Sequence, residues 1–350
     1  MAEKTLTQSS SWLSRFAWLT AATTLLLICS GGMVTSKGVG LAVPDWPTTF
    51  GYNMFLFPFS KWVGGILFEH THRLLGAAVG LLTIVLAVWL SRIEHPGYLK
   101  MLGWIALAAV IVQGVLGGLR VTMLKDEIGI FHACLAQAFF GLLVFIALAT
   151  TAVWRALSMS PANRERIRST WKLSVVLIVA IYFQLALGAT MRHQHRDLAI
   201  VDFPTANGQW IPVTSRDAIA KLNAWREARA LSEVTPFQIW LQMVHRANAI
   251  LVLAAAIALW RAIRKHARGI SPLVPLSSML IVAVAIQIAL GAWTIWSNKA
   301  ADIATAHVAV GATLLAFAIV ISAIAWRLSH SAQHRQPSTP PLQSQSAVIA

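Results

Sequence analysis

Apolar residues are grouped along the chain in eight long stretches, and the short segments between them hold most of the charged residues. An α-helix needs about 20 mostly apolar residues to cross the hydrocarbon core of a bilayer, and each stretch is about that long. The predicted spans, numbered one to eight in chain order, cover residues 16–34, 68–91, 99–119, 130–154, 171–191, 238–260, 274–296 and 304–326. The pattern therefore predicts an all-α integral membrane protein with eight transmembrane helices.

A repeat runs through this pattern. The segment LAVPDWPT (residues 41–48), between spans one and two, returns as LAIVDFPT (residues 198–205) between spans five and six, at an offset of 157 residues. Segments in spans two, three and four return with offsets of 173, 174 and 175 residues: Thr71 matches Val244, Gln113 matches Gln287, and His132 matches His307. Because the offset is nearly constant, the sequence predicts two tandem four-helix bundles in a parallel pseudo-two-fold repeat.

The repeat sets the expected domain boundaries. These are a cytoplasmic N-terminus (1–15), a first half (16–157), a cytoplasmic linker (158–170), a second half (171–328) with a long outer loop (192–237), and a disordered cytoplasmic tail (329–350). Within the long loop, residues 217–231 fit an amphipathic helix that lies on the membrane surface or forms a solvated cap.

Composition and charge set the orientation. Charged residues are 12% of the chain, against roughly 25% in soluble domains. The net charge of +15 comes from scattered Lys and Arg, which do not form the basic stripe of a nucleic-acid-binding protein. With the N-terminus inside, the short inner segments hold fifteen Lys and Arg and the short outer loops five. The positive-inside rule then places both termini in the cytoplasm, and without a signal or import peptide we expect a bacterial inner membrane.

Four histidines lie at matching depths in the two halves. His72 and His132 fall near the starts of spans two and four, and His245 and His307 near the starts of spans six and eight. Since these four spans run in the same direction, each half would place two imidazoles opposite each other across a bundle, as heme ligation requires. Zinc fits less well, because two imidazoles do not complete a tetrahedral site.

The residues beside these histidines have more than one interpretation. Arg73 and Arg246 could pair with heme propionates, since a guanidinium binds carboxylates bidentately, or could simply extend to the membrane interface. His70 lies about 200° around the helix from His72. We therefore expect His70 at the interface, outside the face that His72 occupies.

One acidic residue distinguishes the halves. Of the thirteen Asp and Glu, only Glu69 enters a predicted span, three residues before His72, and Gln242 takes its place in the second half. A buried carboxyl beside a heme could relay protons or act as an acid or base, whereas a glutamine keeps the shape without that chemistry. The alternative is an ion pair between Glu69 and Arg73 at the helix end.

Five motifs, in this order, resemble those of the heme A synthase family. They are the PDWP loop, EHTHR at the start of span two, QGVLGGLRV in span three, DFPTANGQWIP in the long outer loop and QMVHRAN in span six. The resemblance covers residues 16–327. It implies an oxidoreductase that converts a ring methyl of heme O to a formyl group by successive hydroxylations, giving heme A for terminal oxidases.

The resemblance also implies roles for the residues in this sequence. His72 and His132 would hold the substrate heme O, with Glu69 as the essential carboxylate, while His245 and His307 would hold a cofactor heme b for electron transfer. The implied partners are membrane lipid, heme O synthase, oxidase assembly factors and an electron donor that the sequence does not identify.

One feature departs from the family pattern. Many bacterial members have a cysteine pair around the first outer motif, but Cys29 and Cys134 of this chain both lie inside predicted spans. We therefore expect no disulfide, and any disulfide-based role in those relatives does not carry over.

Two other classes of function remain open. A diheme electron carrier of cytochrome b type would use both histidine pairs but has no need for one unique carboxyl. A transporter built from repeats would explain the duplication. However, these repeats are parallel, and the polar groups are expected near the outer face rather than at the bilayer midplane.

Overall fold

The structure, a computed structural model, describes residues 2–93, 96–157, 161–194, 198–268 and 272–330. Ten α-helices lie in these residues: α1 (Ala2–Ser36), α2 (Gly64–Arg92), α3 (Gly97–Met123), α4 (Asp126–Ala149), α5 (Ala152–Ala156), α6 (Pro161–Gln194), α7 (Arg216–Glu227), α8 (Pro236–His266), α9 (Leu273–Trp296) and α10 (Ala301–His330). Two 3-10 turns, Met54–Leu56 and Phe59–Lys61, lie between α1 and α2. The predicted all-α class is confirmed.

Eight helices in the described residues are long and apolar enough to cross a membrane: α1 to α4, α6, and α8 to α10. They correspond one for one to the predicted spans. The sequence predicts the fourth span over 130–154, but α4 ends at Ala149 and the chain turns before α5. The hydroxyl of Thr151 accepts the Trp154 N–H at 3.0 Å and so begins a separate helix.

Two predicted boundaries differ from the helix ends. Helix α6 begins at Pro161, so the predicted linker (158–170) is helical from that residue onward, while residues 158–160 lie outside the described residues. The predicted tail (329–350) starts inside α10, which ends at His330, and its remaining residues lie outside the described part of the chain.

The eight long helices form two rings of four. In the first ring, α1 and α3 each pack against both α2 and α4. In the second ring, α6 and α9 each pack against both α8 and α10. The rings meet where α1 contacts α10 and where α4 contacts α6 and α10, and one hydrophobic core runs through both. The pseudo-two-fold relation between the rings stays a prediction.

Two loops cover the rings at one end, which we call the loop end. The first loop (residues 37–63) joins α1 to α2, and the second loop (residues 198–235) leads into α8. In the first loop, the carboxylate of Asp45 accepts the N–H groups of Phe50 and Gly51, both at 2.8 Å, and the Thr48 hydroxyl. In the second loop, Asp202 accepts three corresponding donors, from Thr205, Asn207 and Gly208.

Helix α7 is the amphipathic helix predicted for residues 217–231. The Arg226 side chain of this helix is almost fully buried, with 1% exposed. Its guanidinium donates hydrogen bonds to the carbonyls of Ser232 and Leu198 at 2.6 and 3.0 Å. The helix packs on a small core formed by Ala199, Ile200, Ala206 and Val234 of the loop and Ile239 of α8. Of the two interpretations of this segment, these contacts favour a cap over the loop end.

The start of α8 is fixed by its own sequence. The Thr235 hydroxyl accepts the Gln238 N–H, and the Gln238 side chain accepts the Thr235 N–H, which together form a capping box. Pro236 follows at the first helical position, where its missing N–H costs no hydrogen bond. This fixed start sets the height of the histidine that α8 carries.

The stabilisation that Asp45 and Asp202 give to the two loops depends on pH. Burial raises the pKa of Asp45, but hydrogen bonds from Gly51, Thr48 and Phe50 outweigh it, so the pKa lies below its ordinary value. The pKa of Asp202 is lowered against burial in the same way. A lowered carboxylate pKa means that the stabilisation is complete above the unfolded-state pKa of about 3.9. It is lost as the pH falls through the folded-state pKa.

We predict that Asp45→Asn loosens the first loop, because an amide group replaces one acceptor oxygen with a donor that faces the N–H donors. Hydrogen–deuterium exchange at the Phe50 and Gly51 amides, measured by mass spectrometry at pH 7, should become about tenfold faster. Asp202→Asn is the matched control and should loosen the second loop only. In the unmodified chain, the first loop should stay ordered down to about pH 4. Unchanged exchange in Asp45→Asn would rule out this role.

Candidate functional site

Each of the four predicted ligand histidines packs its ring against a glycine of a neighbouring helix. These glycine seats pair Gly31 with His72, Gly117 with His132, Gly188 with His245 and Gly291 with His307. A Cβ atom added at the four glycines would lie 2.9, 3.2, 3.5 and 3.1 Å, respectively, from the Cε1 atom of the ring. At three of the four seats, a larger residue would therefore push the imidazole out of place.

Glutamines fix the backbone of three of these histidines. The side-chain amides of Gln113, Gln184 and Gln287 donate to the carbonyls of His132, His245 and His307 at 2.8, 2.9 and 2.9 Å, respectively. Each glutamine stands four residues before the seat glycine of its helix. Leu27 occupies the corresponding position before Gly31. In the described part of the chain, the His72 carbonyl therefore has no such glutamine bond.

The ring nitrogens of the four histidines are compatible with heme ligation. The Nδ1 atoms of all four rings are buried and have no hydrogen-bond partner of good geometry in the described residues. The backbone one turn before each seat glycine interacts with the ring, at Leu27, Gln113, Gln184 and Gln287. A metal-bound imidazole usually donates its second N–H to a carbonyl or carboxylate, so binding of iron by Nε2 would complete this arrangement.

The spacing of the second pair suits one iron atom. The ring centroids of His245 and His307 are 6.5 Å apart. Two metal–imidazole bonds of about 2.0–2.1 Å on opposite sides of one metal would place the centroids roughly 6–6.5 Å apart. In the first ring, His72 and His132 are close enough to interact electrostatically. The spacing of the second pair therefore fits a heme held by two histidines.

Glu69 and Gln242 make the same contact with the loop above them. The Val43 N–H donates to Glu69 Oε2 and the Ile200 N–H donates to Gln242 Oε1, both at 2.9 Å. Both side chains are buried, at 3% and 7% exposed. They differ in the second bond, because Gln242 donates to the Ile200 carbonyl at 3.0 Å whereas Glu69 accepts from Arg73 at 2.8 Å. The ion pair considered from the sequence is present, together with a loop contact that the sequence did not indicate.

Arg73 and Arg246 bind the loops. Arg73 donates to the carbonyls of Val43, Asp45 and Thr48 at 2.9, 2.7 and 3.0 Å. Arg246 donates to the carbonyls of Asp202, Pro204 and Thr205 at 2.7, 3.3 and 2.8 Å. These bonds engage both terminal nitrogens of each guanidinium. Contact of these two residues with heme propionates stays a prediction, and the observed geometry gives them a loop-binding role.

His70 is buried, not interfacial as expected. Its ring packs between Phe57 and Trp62, with centroids 5.1 and 4.6 Å away, and Nδ1 lies 3.2 Å from the Thr49 hydroxyl. The first loop folds over the start of α2 and covers this ring, which the sequence analysis did not foresee. His70 therefore faces the first loop, away from the histidine pair.

Three basic residues near the two sites were not singled out from the sequence: Arg120, Arg192 and His193. Arg192 donates to the Gly32 carbonyl and the Ser36 hydroxyl of α1 at 2.9 and 2.8 Å, and to the Ala304 carbonyl of α10 at 3.4 Å. It thus fastens α6 to both rings. The sequence could have indicated two of them by spacing, because Arg120 and Arg192 each stand one helical turn after a seat glycine.

Comparison with known proteins gives consistent matches. The model of the family described as cytochrome oxidase assembly protein matches residues 14–319. A heme A synthase of Shouchella clausii (strain KSM-K16) is 29% identical over 283 residues, which are 78% of this chain and 90% of the relative. A heme A synthase of Rhizorhabdus wittichii is 30% identical over 71% of this chain and 68% of the relative. One of Shewanella oneidensis is 24% identical over 92% of this chain and 98% of the relative.

We predict that Gly291→Ala weakens heme binding in the second ring, because the new Cβ would lie 3.1 Å from His307 Cε1. Gly188→Ala is the matched control, since its Cβ would lie at an ordinary 3.5 Å from His245. Heme affinity, measured by absorbance titration of the purified protein, should fall about tenfold in Gly291→Ala relative to the control. Equal affinities in the two variants would contradict the proposed function of the seats.

Proposed function

This chain belongs to the family of cytochrome oxidase assembly proteins, and from that premise we propose that it is a heme A synthase, a multi-pass membrane enzyme of heme A biosynthesis. It takes heme O as substrate and, as an oxidoreductase, converts a ring methyl to a formyl group. Support comes from the relatives named heme A synthase, of which the chain covers 90% and 98% in two cases.

The difference between Glu69 and Gln242 is the observation that carries this proposal. The two side chains occupy corresponding positions and accept the same kind of loop N–H at 2.9 Å. Because glutamine makes the loop contact in the second ring, docking of the loop does not require a carboxyl group. We assign the carboxyl of Glu69 to proton transfer.

We assign the two histidine pairs to different hemes. His72 and His132 hold the substrate heme O, and His245 and His307 hold a resident heme b. In the second ring both histidines are fixed by a glutamine, whereas in the first ring only His132 has this bond. A pair fixed on both sides suits a cofactor that stays bound, and a less constrained pair suits a substrate that must leave as product.

In the first ring, Arg73 and the first loop would position and cover Glu69, the group that handles protons. Conversion of a methyl to a formyl group replaces two hydrogens with one oxygen atom in a four-electron oxidation, so the oxygen atom and the oxidant must come from outside this chain. What the chain itself supplies is a group close to the site that can accept or relay the protons released. Arg73 orients the Glu69 carboxylate at 2.8 Å, and the first loop covers both groups. Heme b, when bound in the second ring, would supply one-electron transfer.

We place the loop end on the outer side of a bacterial inner membrane and both termini in the cytoplasm. Exposed basic residues at the opposite end of α8, Arg261, Arg264 and Lys265, support this orientation through the positive-inside rule. The two halves (16–157 and 171–328) then act as a substrate-heme half and a heme b half. Membrane lipid, heme O synthase, oxidase assembly factors and an electron donor complete the proposed set of partners.

We predict that Glu69→Gln keeps the fold and heme binding but stops heme A formation, because Gln242 already makes the equivalent loop contact. Heme A, extracted from cells that supply heme O and measured by mass spectrometry, should fall at least about 100-fold. Gln242→Glu is the matched control and should retain activity. Undiminished heme A in Glu69→Gln would refute the role of this carboxyl.

We also predict the hemes that copurify with the unmodified protein. Extraction from detergent-purified protein, followed by mass spectrometry, should give heme O or heme A together with heme b. Heme b alone would favour the diheme electron carrier, and absence of any heme would favour the transporter.

A further inference from the structure

Four residues stand one turn beyond the glycine seats, toward the loop end, and form the rim of the two sites: Thr35, Arg120, Arg192 and Thr294. The two threonines use their hydroxyls on their own helices, at 3.0 Å to the Gly31 carbonyl and 2.8 Å to the Leu290 carbonyl. Each ring thus has one rim arginine. In the described residues, neither arginine side chain is hydrogen-bonded to its own helix.

The two rim arginines differ in their partners. Arg192 donates hydrogen bonds to α1 and α10, as described above. Arg120 is only partly exposed, yet in the described part of the chain its guanidinium makes no hydrogen bond or close ion pair, and only longer-range electrostatic interactions involve it. A partly buried cation without a hydrogen-bonding anion is costly unless a ligand completes it.

The position of Arg120 is well defined. A Cβ atom on Gly40 would lie 2.8 Å from Arg120 Nη1, so the guanidinium packs against the backbone of the first loop. Two residues earlier on α3, Gly118 packs directly on the Trp46 ring of the same loop. Arg120 therefore points into the space between the first loop and the seat of His132.

All but one of its electrostatic neighbours belong to the first ring. Arg120 interacts with the imidazoles of His72 and His132, with Glu69 and Asp126, and with His193 at the end of α6. The Glu69 carboxylate is already engaged by Val43 and Arg73, so it does not neutralise Arg120 by direct contact. The arrangement leaves a guanidinium beside the histidine pair with its donors available.

We propose that Arg120 binds a propionate carboxylate of the tetrapyrrole substrate in the first ring. The inference rests on the proposed function, and it transfers to Arg120 the contact that the sequence suggested for Arg73. A guanidinium binds a carboxylate through two parallel hydrogen bonds, which would fix the rotation of the macrocycle about the axis through His72 and His132. That rotation decides which ring methyl faces Glu69, so Arg120 is a positioning residue for the oxidation.

In the second ring, the rim arginine Arg192 is already engaged by α1 and α10, and no arginine stands at the position equivalent to Arg120. Thr294 stands at the position that corresponds to Arg120, and its hydroxyl is bonded within α9. The proposed contact is therefore specific to the ring that must orient its heme for chemistry.

Two probes test the proposal: ferric protoporphyrin IX and its dimethyl ester, in which both propionates are masked. Each is titrated into the detergent-purified full chain, and binding to the first ring is defined as the component that His72→Ala abolishes. The unmodified chain should bind the free acid about tenfold more tightly than the ester. Arg120→Gln should weaken binding of the acid about tenfold and leave the ester unchanged, and Arg120→Lys should recover part of the difference. Arg261→Gln, at the far end of α8, is the control and should match the unmodified chain.

The outcomes separate this proposal from the proposed function. If Arg120→Gln weakens acid and ester equally, the residue has only a structural role and the proposal is wrong. If the variant still discriminates between the probes like the unmodified chain, another residue binds the carboxylate and the proposal is also wrong. If neither probe shows binding that depends on His72 in the unmodified chain, the proposed function itself fails.

Discussion

The close contact between an imidazole ring and a glycine is the constraint on which the rest of the structure depends. A histidine inside a membrane has to be held in one orientation while one ring nitrogen stays free for a ligand. Side-chain hydrogen bonds to both nitrogens would fix the ring but block ligation. Packing against a glycine backbone restricts the ring by shape, as at Gly31 and Gly291, where a Cβ would lie 2.9 and 3.1 Å from the ring. The helices must therefore approach closely at these heights, and this requirement sets the packing of both rings.

The loops form a second layer that depends on the first. Their backbone carbonyls accept hydrogen bonds from the two arginines that follow the α2 and α8 histidines, and their N–H groups reach the side chains three residues before those histidines. One helical turn thus carries both the candidate heme ligand and the attachment of the loop that covers it. Exchange of a carboxylate for an amide at Glu69 and Gln242 changes the available chemistry and keeps the loop N–H contact, so two similar scaffolds could take the different roles proposed above.

The sequence predicts features that depend on residue type along one helix. All eight spans and the matched depths of His72, His132, His245 and His307 follow from apolar length and the repeat, because a bilayer permits few alternatives. It does not predict contacts whose partners are backbone carbonyls in a loop, since a carbonyl has no residue identity. This is why Arg73 was interpreted through propionates, and why the burial of His70 was missed. The early end of α4 was missed for another reason, because the apolar run continues through the turn before α5.

In the proposed function electrons pass between the two sites, and Arg192 bears on the distance between them. By binding α1 and α10 at once, it ties the helix that seats His72 to the helix that carries His307. These bonds do not involve either loop, so they hold α1 beside α10 independently of the loop contacts. Tunnelling rates fall steeply with distance, so under the proposed function a contact that fixes the spacing of α1 and α10 would limit the variation of the electron-transfer rate that comes from distance.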